Sequence, residues 1–146
     1  MNAFFLIFSV FAESDPIEDA FKEINGMRKA SKLPPLIRNA NLDQAANIQA
    51  LYEMKVKNIT TDNDDPKYAT ADDRIRESNY ADNFVYNELL LKSPNDFEGF
   101  VNVLNQESKN FRNNILSDVL KDVGIGTAAD DQDRYWTFVF AAETKS

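Results

Sequence analysis

The chain has 146 residues, of which 43% are hydrophobic and 27% are charged, a composition typical of a soluble domain with a sizeable core. Its formal net charge is −8, so we expect no nucleic-acid partner, because phosphate binding needs a basic face. The sequence has no cysteine and no histidine. This composition excludes disulfides, thiol chemistry, serine–histidine catalysis and the usual zinc ligands, and we expect no cofactor.

The first residues have the features of a secretion signal. Residues 3–11 form an uncharged apolar run that is too short to cross a bilayer as a helix. Val10 and Ala12 are small residues at the third and first positions before a cleavage point. We therefore predict a signal peptide at residues 1–12, a single secreted domain at residues 13–146, and no membrane span after cleavage. The alternatives are an uncleaved anchor or a buried N-terminal strand.

The first helix has clear start and stop signals. Asp15 followed by Pro16 is typical of a helix start, and apolar residues then recur at helical spacing. Pro34 cannot continue a helix, so we expect this one to end near residue 31. Arg28 is predicted to form an ion pair on the surface of this helix or between helices.

Two further helices are predicted in the first half of the chain. The first covers residues 42–57, begins at Asn41 as N-cap, and has small alanines that suit close packing against another layer. The polar, acidic residues 60–68 have no periodicity and are predicted to form a loop. A short helix is expected at residues 72–78.

The second half of the chain favours a sheet. Weak alternation predicts a strand at residues 84–91, and a capping sequence that begins at Ser93 predicts the next helix. Strands at residues 122–128 and 134–142 are joined by an acidic turn, and the last strand is apolar on both faces, as a central strand would be. We expect an α+β fold in which helices pack on a small antiparallel sheet.

Several segments, taken in order, resemble one known family. Residues 24–36 (INGMRKASKLPPL) are similar to a helix with Asn-x-x-Arg that runs into a Leu-Pro-Pro-Leu loop. The other matching segments are NLDQAA (41–46), DRI (73–75), RNNIL (112–116), VGIG (123–126) and YWTFVF (135–140). Together they resemble the CAP superfamily, whose domain is also called the SCP domain, over residues 21–141. The resemblance implies an α-β-α sandwich and secretion.

The resemblance also implies a surface cleft, which in many members holds two histidines and two glutamates. The second histidine falls at Phe111, and the glutamate of a Gly-Glu-Asn motif falls at Asn87, or at Glu88 after a one-residue slip. Such a slip would turn the side chain to the other face of a strand. The candidate cleft positions are Asn63, Asn87, Glu88, Glu107, Ser108 and Phe111.

Other readings of single residues remain open. Glu88 and Glu107 could form a general acid/base pair, although solvated rim carboxylates are the simpler interpretation. Residues 62–65 are rich in aspartate but lack the ligand spacing of a calcium loop, so a solvated loop is favoured. Asn58 begins an Asn-Ile-Thr glycosylation acceptor pattern.

Three functions follow from these expectations. The first is a secreted, non-catalytic binding module that acts on an extracellular protein. The second is a carrier of a small apolar ligand such as a sterol or fatty acid, for which the 11 phenylalanines would suit a groove. The third, a hydrolase, ranks last because no nucleophile–base pair is visible, and we expect that the protein is not an enzyme.

Overall fold

The computed structural model describes residues 15–145, with only the backbone for residues 108–110, so the predicted signal peptide lies outside the described residues. The helices are α1 (Pro16–Ala30), α2 (Ala40–Val56), α3 (Ala71–Glu77), α4 (Phe97–Gln106) and α5 (Ser108–Ile115), with a 3-10 turn at Pro66–Tyr68. The strands are β1 (Ile37–Arg38), β2 (Phe84–Pro94), β3 (Asp122–Ala129) and β4 (Asp133–Glu143). Across residues 15–145, none of the helices has the length and apolar character that a membrane span requires.

The four strands form one sheet in the order β1-β3-β4-β2. Strand β4 therefore lies inside the sheet, as its two apolar faces predict. The pairs β2–β4 and β3–β4 are antiparallel, whereas β1 runs parallel to β3. The predicted small antiparallel sheet is confirmed for β2, β3 and β4. The parallel strand β1 was not predicted, because its two residues carry no strand pattern.

Helices cover both faces of the sheet. One face of β4 presents Trp136, Phe138 and Phe140 to an apolar core that α1, α4 and α5 complete. The opposite face presents Val139 and Ala141 to α2 and α3. The α+β class and the α-β-α sandwich are therefore confirmed. Because side chains alternate along a strand, each β2 residue also belongs to one face or the other.

The predicted N-cap residue is correct for one helix and wrong for two others. Asp15 caps α1 as predicted, since its carboxylate accepts a hydrogen bond from the N–H of Ile17 at 3.0 Å. Helix α2 begins earlier than predicted, because the side chain of Asn39, and not that of Asn41, accepts from the first N–H groups. Helix α4 is capped by Asp96.

Ser93 therefore has a different position from the predicted one. It lies inside β2, which extends to Pro94, and its hydroxyl accepts a hydrogen bond from the indole N–H of Trp136 at 2.9 Å. The buried indole needs a polar partner, and the strand supplies it.

Arg28 is not the ion-pair residue that its helix position suggests. Its side chain is buried, and its guanidinium donates to the backbone carbonyls of Pro34, Ile115 and Ser117 at 2.7–2.8 Å. Burial lowers the pKa of this guanidinium, and the nearby carboxylate of Asp118 opposes the shift. Arg28 thus joins α1 to the loop after it and to the end of α5.

Helix α2 lies against the backbone of β3 at two glycines. A Cβ atom added at Gly124 would overlap the backbone of Leu42 and Asp43. One added at Gly126 would overlap the backbone of Ala46 and Asn47. This close approach of backbone to backbone fixes the distance of α2 from the sheet.

We predict that Gly126→Ala lowers the free energy of unfolding by about 3 kcal/mol, because the added methyl group must displace helix backbone. Gly26→Ala is the control, since a Cβ there meets open space on α1. That variant should raise stability by about 0.5–1 kcal/mol through helix propensity. Urea unfolding of both variants measures the difference, and equal stabilities would contradict the close contact.

Candidate functional site

Buried polar side chains are concentrated on the face of the sheet that α2 and α3 cover. Gln49 and Glu53 of α2, Arg74 of α3 and Thr137 of β4 are at most 1% exposed. The side chain of Glu88, from β2, is 7% exposed. We call these five residues the buried polar network. Its members come from four elements, so the fold and not the local sequence brings them together.

The central contact of the network is an ion pair between Arg74 and Glu88. The guanidinium Nη2 lies 2.8 Å from the Glu88 Oε2, and Nη1 donates to the carbonyl of Tyr68 at 2.9 Å. The second carboxylate oxygen of Glu88 accepts a hydrogen bond from the Thr61 hydroxyl at 2.7 Å. Arg74 and Glu88 therefore hold the loop after α2 at two points.

Glu53 lies deeper, with no exposed surface. One of its oxygens accepts from the Thr137 hydroxyl at 2.8 Å, and the other accepts from the Thr60 backbone N–H at 3.2 Å. Burial raises the pKa of Glu53 to about 8, and the negative charge of Glu88 adds to this effect. The two hydrogen bonds and Arg74 act in the opposite direction. Near neutral pH this carboxyl is therefore largely protonated.

Gln49 completes the attachment of the loop. Its amide nitrogen donates to the carbonyls of Thr60 and Asp62, and its amide oxygen accepts from the Asn63 side chain at 3.1 Å. Gln49 and Glu53 lie one helical turn apart, on the face of α2 that also carries its packed alanines. All the named polar atoms thus bond one another or the backbone of residues 60–68, and the arrangement holds the loop against the sheet.

The six candidate cleft positions do not meet in one place. Asn63 and Glu88 lie on the face of the buried polar network. Asn87 points to the opposite face, where its amide donates to the Asn114 side chain at 2.7 Å. The adjacent residues of β2 are thus separated by the sheet, as the alternation of side chains requires.

The remaining cleft positions lie around α4 and α5. Phe111 is buried in the apolar core on the α1, α4 and α5 side. Glu107, an exposed residue, ends α4. Ser108 begins α5, and its side chain is outside the described part of the chain. Glu88 and Glu107 therefore have different surroundings, one in a buried ion pair and one in solvent.

The acidic segments have local structural roles. Asp65 caps the 3-10 turn through the N–H of Lys67 at 3.0 Å. In the β3–β4 turn, Asp130 accepts from the N–H groups of Gln132 and Asp133. Its carboxylate also bonds Lys57 at 2.6 Å, which holds the pKa of Asp130 well below its usual range. Asn58, the glycosylation candidate, is exposed just after α2.

Sequence reasoning did not identify most of the network. Gln49, Glu53, Arg74 and Thr137 are residue types that are usually exposed, so nothing in their identity signals burial. The one available signal is position. Gln49 and Glu53 follow Ala45 and Ala46 at helical spacing, so they share the face predicted to pack.

A second candidate site is a shallow groove of about 530 Å³ beside α1. Its walls are mainly apolar, and lysine side chains stand among the residues that line it. The lining residues used below are Phe21, Lys22, Gly26, Lys29, Leu33 and Pro35.

The fold and its two-sided helical cover define an SCP-type α-β-α domain. Residues 21–141 match the sequence model of CAP, the cysteine-rich secretory protein family. The chain belongs to this family, and it is a member without cysteine. No curated protein matches the chain.

Solved structures show the same fold. An extracellular SCP-domain protein of Bacillus anthracis superposes with a TM-score of 0.70 at 19% identity, over 86% of this chain and 39% of its own. An outer surface protein of Borrelia burgdorferi gives 0.72 at 22%, over 90% and 97%. Venom allergen-like protein 4 of Schistosoma mansoni gives 0.62 at 14%, over 90% and 91%. The chain thus spans about two fifths of the Bacillus protein and nearly all of the Borrelia protein.

Glu53 predicts a pH dependence of stability. The folded chain holds the Glu53 proton up to about pH 8, whereas the unfolded chain releases it near the ordinary value of 4.5. Between these pH values the folded state binds more protons than the unfolded state. The contribution of Glu53 to stability is therefore complete below pH 4.5 and is lost as pH rises through 8. The loss should approach about 1.4 kcal/mol per pH unit within that window.

Glu53→Gln tests this expectation, because an amide keeps an oxygen that accepts from the Thr60 N–H and has no titrating proton, and its NH2 group can donate to the Thr137 hydroxyl oxygen. Urea unfolding at pH 5, 6, 7 and 8 should give a smaller fall in stability for the variant than for the wild type. Identical slopes for the two proteins would show that Glu53 is not the group responsible.

Proposed function

We propose that this protein is a secreted, non-catalytic binding module of the CAP family. The observation that supports this proposal best is that the buried carboxyl groups already bond other groups of the protein. Glu88 is held by Arg74 and Thr61, and Glu53 by Thr137 and the backbone of Thr60. A general acid or base must reach a substrate proton, and these carboxyls are buried and already hydrogen-bonded to the protein.

The cleft positions support the same proposal. Phe111 occupies the position of a family histidine and packs in the apolar core. Asn87 bonds Asn114 and is exposed on the face opposite Glu88. Among the cleft residues whose side chains the structure describes, none forms a pair of a nucleophile and a base. The arrangement does provide a firmly attached loop beside β2, and such a loop offers a rigid surface to a partner protein.

Secretion is part of the proposal. It is supported by the apolar segment at residues 3–11 and by the descriptions of two structural relatives as an extracellular protein and an outer surface protein. In that compartment the partner would be an extracellular protein, and the exposed Asn58 would be accessible to glycosylation.

The binding function predicts saturable attachment to an extracellular component. Labelled full-length protein, incubated with intact cells and extracellular material of the source organism, should bind saturably and be displaced by unlabelled protein. Heat-unfolded protein is the control and should not compete. Binding that never saturates would contradict the proposal. So would turnover of peptide or ester substrates that Glu88→Gln abolishes.

An apolar-ligand carrier is the second candidate, and the groove beside α1 favours it. Phe21, Leu33 and Pro35 provide apolar walls for an acyl chain, and the ammonium groups of Lys22 and Lys29 could pair with a carboxylate. This arrangement suits a fatty acid better than a neutral sterol.

Gly26 offers a direct test of the carrier function. A side chain at this position enters open space, so Gly26→Phe should fill the groove without disturbing the core. Native mass spectrometry with oleate should show an adduct for the wild type and for Gly26→Ala, and at least a tenfold weaker one for Gly26→Phe. Adducts of equal strength in all three proteins would exclude the groove as the fatty-acid site.

A further inference from the structure

Strand β2 forms one edge of the sheet along its full length. It has eleven residues, Phe84–Pro94, and pairs with β4 on one side only. The register runs without interruption from Phe84 opposite Glu143 to Pro94 opposite Asp133. The other edge, β1, has two residues. The sheet thus has one long edge that could accept another strand.

The hydrogen bonds at the end of β2 fix which backbone groups face outward. The N–H of Thr144 donates to the carbonyl of Asn83 at 2.9 Å, so odd-numbered residues of β2 turn their backbone groups toward β4. The β3–β4 turn gives the same result. The N–H of Asp130 donates to the carbonyl of Asp133, which leaves the even-numbered residues of β4 to bond β2.

The even-numbered residues of β2 therefore direct their N–H and C=O groups away from the sheet. Across residues 15–145, no hydrogen bond from another element reaches these outward backbone groups. The residues that present both groups are Phe84, Tyr86, Glu88, Leu90 and Lys92.

This edge has few of the features that normally block strand pairing. Natural edge strands are commonly short, bulged, covered, or interrupted by lysine and proline. In β2 the protecting residues are Lys92, the terminal Pro94 and the inward-pointing charge of Glu88, and the pairing with β4 has no bulge. Val85 is 42% exposed on the same strand, and Asn87 is also exposed. A partner strand would therefore find both backbone and side-chain contacts.

Charge beside the edge decides the kind of partner. The hydrogen bond between Thr61 and Glu88 places the start of the acidic segment 62–65 beside β2. Asp62 and Asp64 are exposed, and none of the described cations lies within ion-pair distance of them. A second copy of the chain, with its own charge of −8, would be repelled. A basic segment would be attracted.

We propose that the open edge of β2 binds an extended, basic segment of another protein as a fifth strand of the sheet. The proposal rests on the binding function proposed above and names the surface and the class of partner. Backbone hydrogen bonds from the even-numbered residues would supply much of the affinity. The acidic loop at residues 62–65 would select basic side chains and speed their association.

Amide exchange of the full-length protein tests the geometry. The probe is an amidated seven-residue peptide of alternating lysine and valine, and the control peptide has glutamate in place of lysine. Saturation with the basic peptide should slow exchange of the Tyr86, Glu88 and Leu90 amides at least tenfold. The amides of Asn87 and Leu89, which already bond β4, should change little. The proposal is overturned if the basic peptide does not bind, or if it protects a different set of amides.

Two substitutions separate the edge from general charge effects. Asp62→Lys should weaken binding of the basic peptide about tenfold. Glu23→Lys is the matched control with the same change of charge, on α1, which packs against β3, α4 and α5, and it should weaken binding less than twofold. Equal losses in the two variants would reject the acidic loop as the selecting element.

Leu90→Pro removes an outward N–H and leaves the hydrogen bonds to β4 in place. It should abolish peptide binding while thermal unfolding stays cooperative, and retained binding would overturn the edge proposal. If this variant does not fold, the amide-exchange pattern of the wild-type protein still decides whether the edge binds the peptide. In the cell-binding assay, saturable binding that survives both Leu90→Pro and Asp62→Lys would reject the edge but keep the binding module. Absence of saturable wild-type binding would reject the module itself.

Discussion

The close packing of α2 on β3 is the constraint on which the rest of this face depends. At Gly124 and Gly126 there is no room for a side chain between the helix backbone and the strand. At that separation, side chains on the inner face of α2 cannot turn outward to water. Gln49 and Glu53 must therefore find polar partners within the protein, and the residues after α2 supply them by folding back over the sheet.

The buried polar network has a specificity role more than a stabilising one. Burying Arg74 and Glu88 costs desolvation energy that their attraction largely offsets, so such pairs contribute little net stability. Their geometry, however, favours the observed position of the loop, because Tyr68 bonds Arg74 and Thr61 bonds Glu88. A loop held in this way keeps the same surface toward a partner with little entropy left to lose on binding.

The sequence predicts the helices and strands better than it predicts the tertiary contacts between them. The cap at Asp15, the alternation of β4 and the acidic turn after β3 are local signals, and each is confirmed. The N-caps of α2 and α4 differ from the predicted ones, because several polar residues precede each helix and the path of the chain selects one of them. The network could not be predicted, since it depends on the strand register that sets Glu88 and Thr137 on the same face. The sequence does predict that Asn87 and Glu88 lie on opposite faces of the sheet, because adjacent residues of a strand never share a face.

Arg28 carries a consequence for the order of folding. Its hydrogen bonds to the carbonyls of Ile115 and Ser117 close chain separations of 87 and 89 residues, so they form only after most of the chain has been placed. Helix α1 is well capped by itself, but these contacts require the ordering entropy of a long loop to be lost. Arg28 thus joins the two ends of a long segment, so loss of its hydrogen bonds would release α1 from the end of α5.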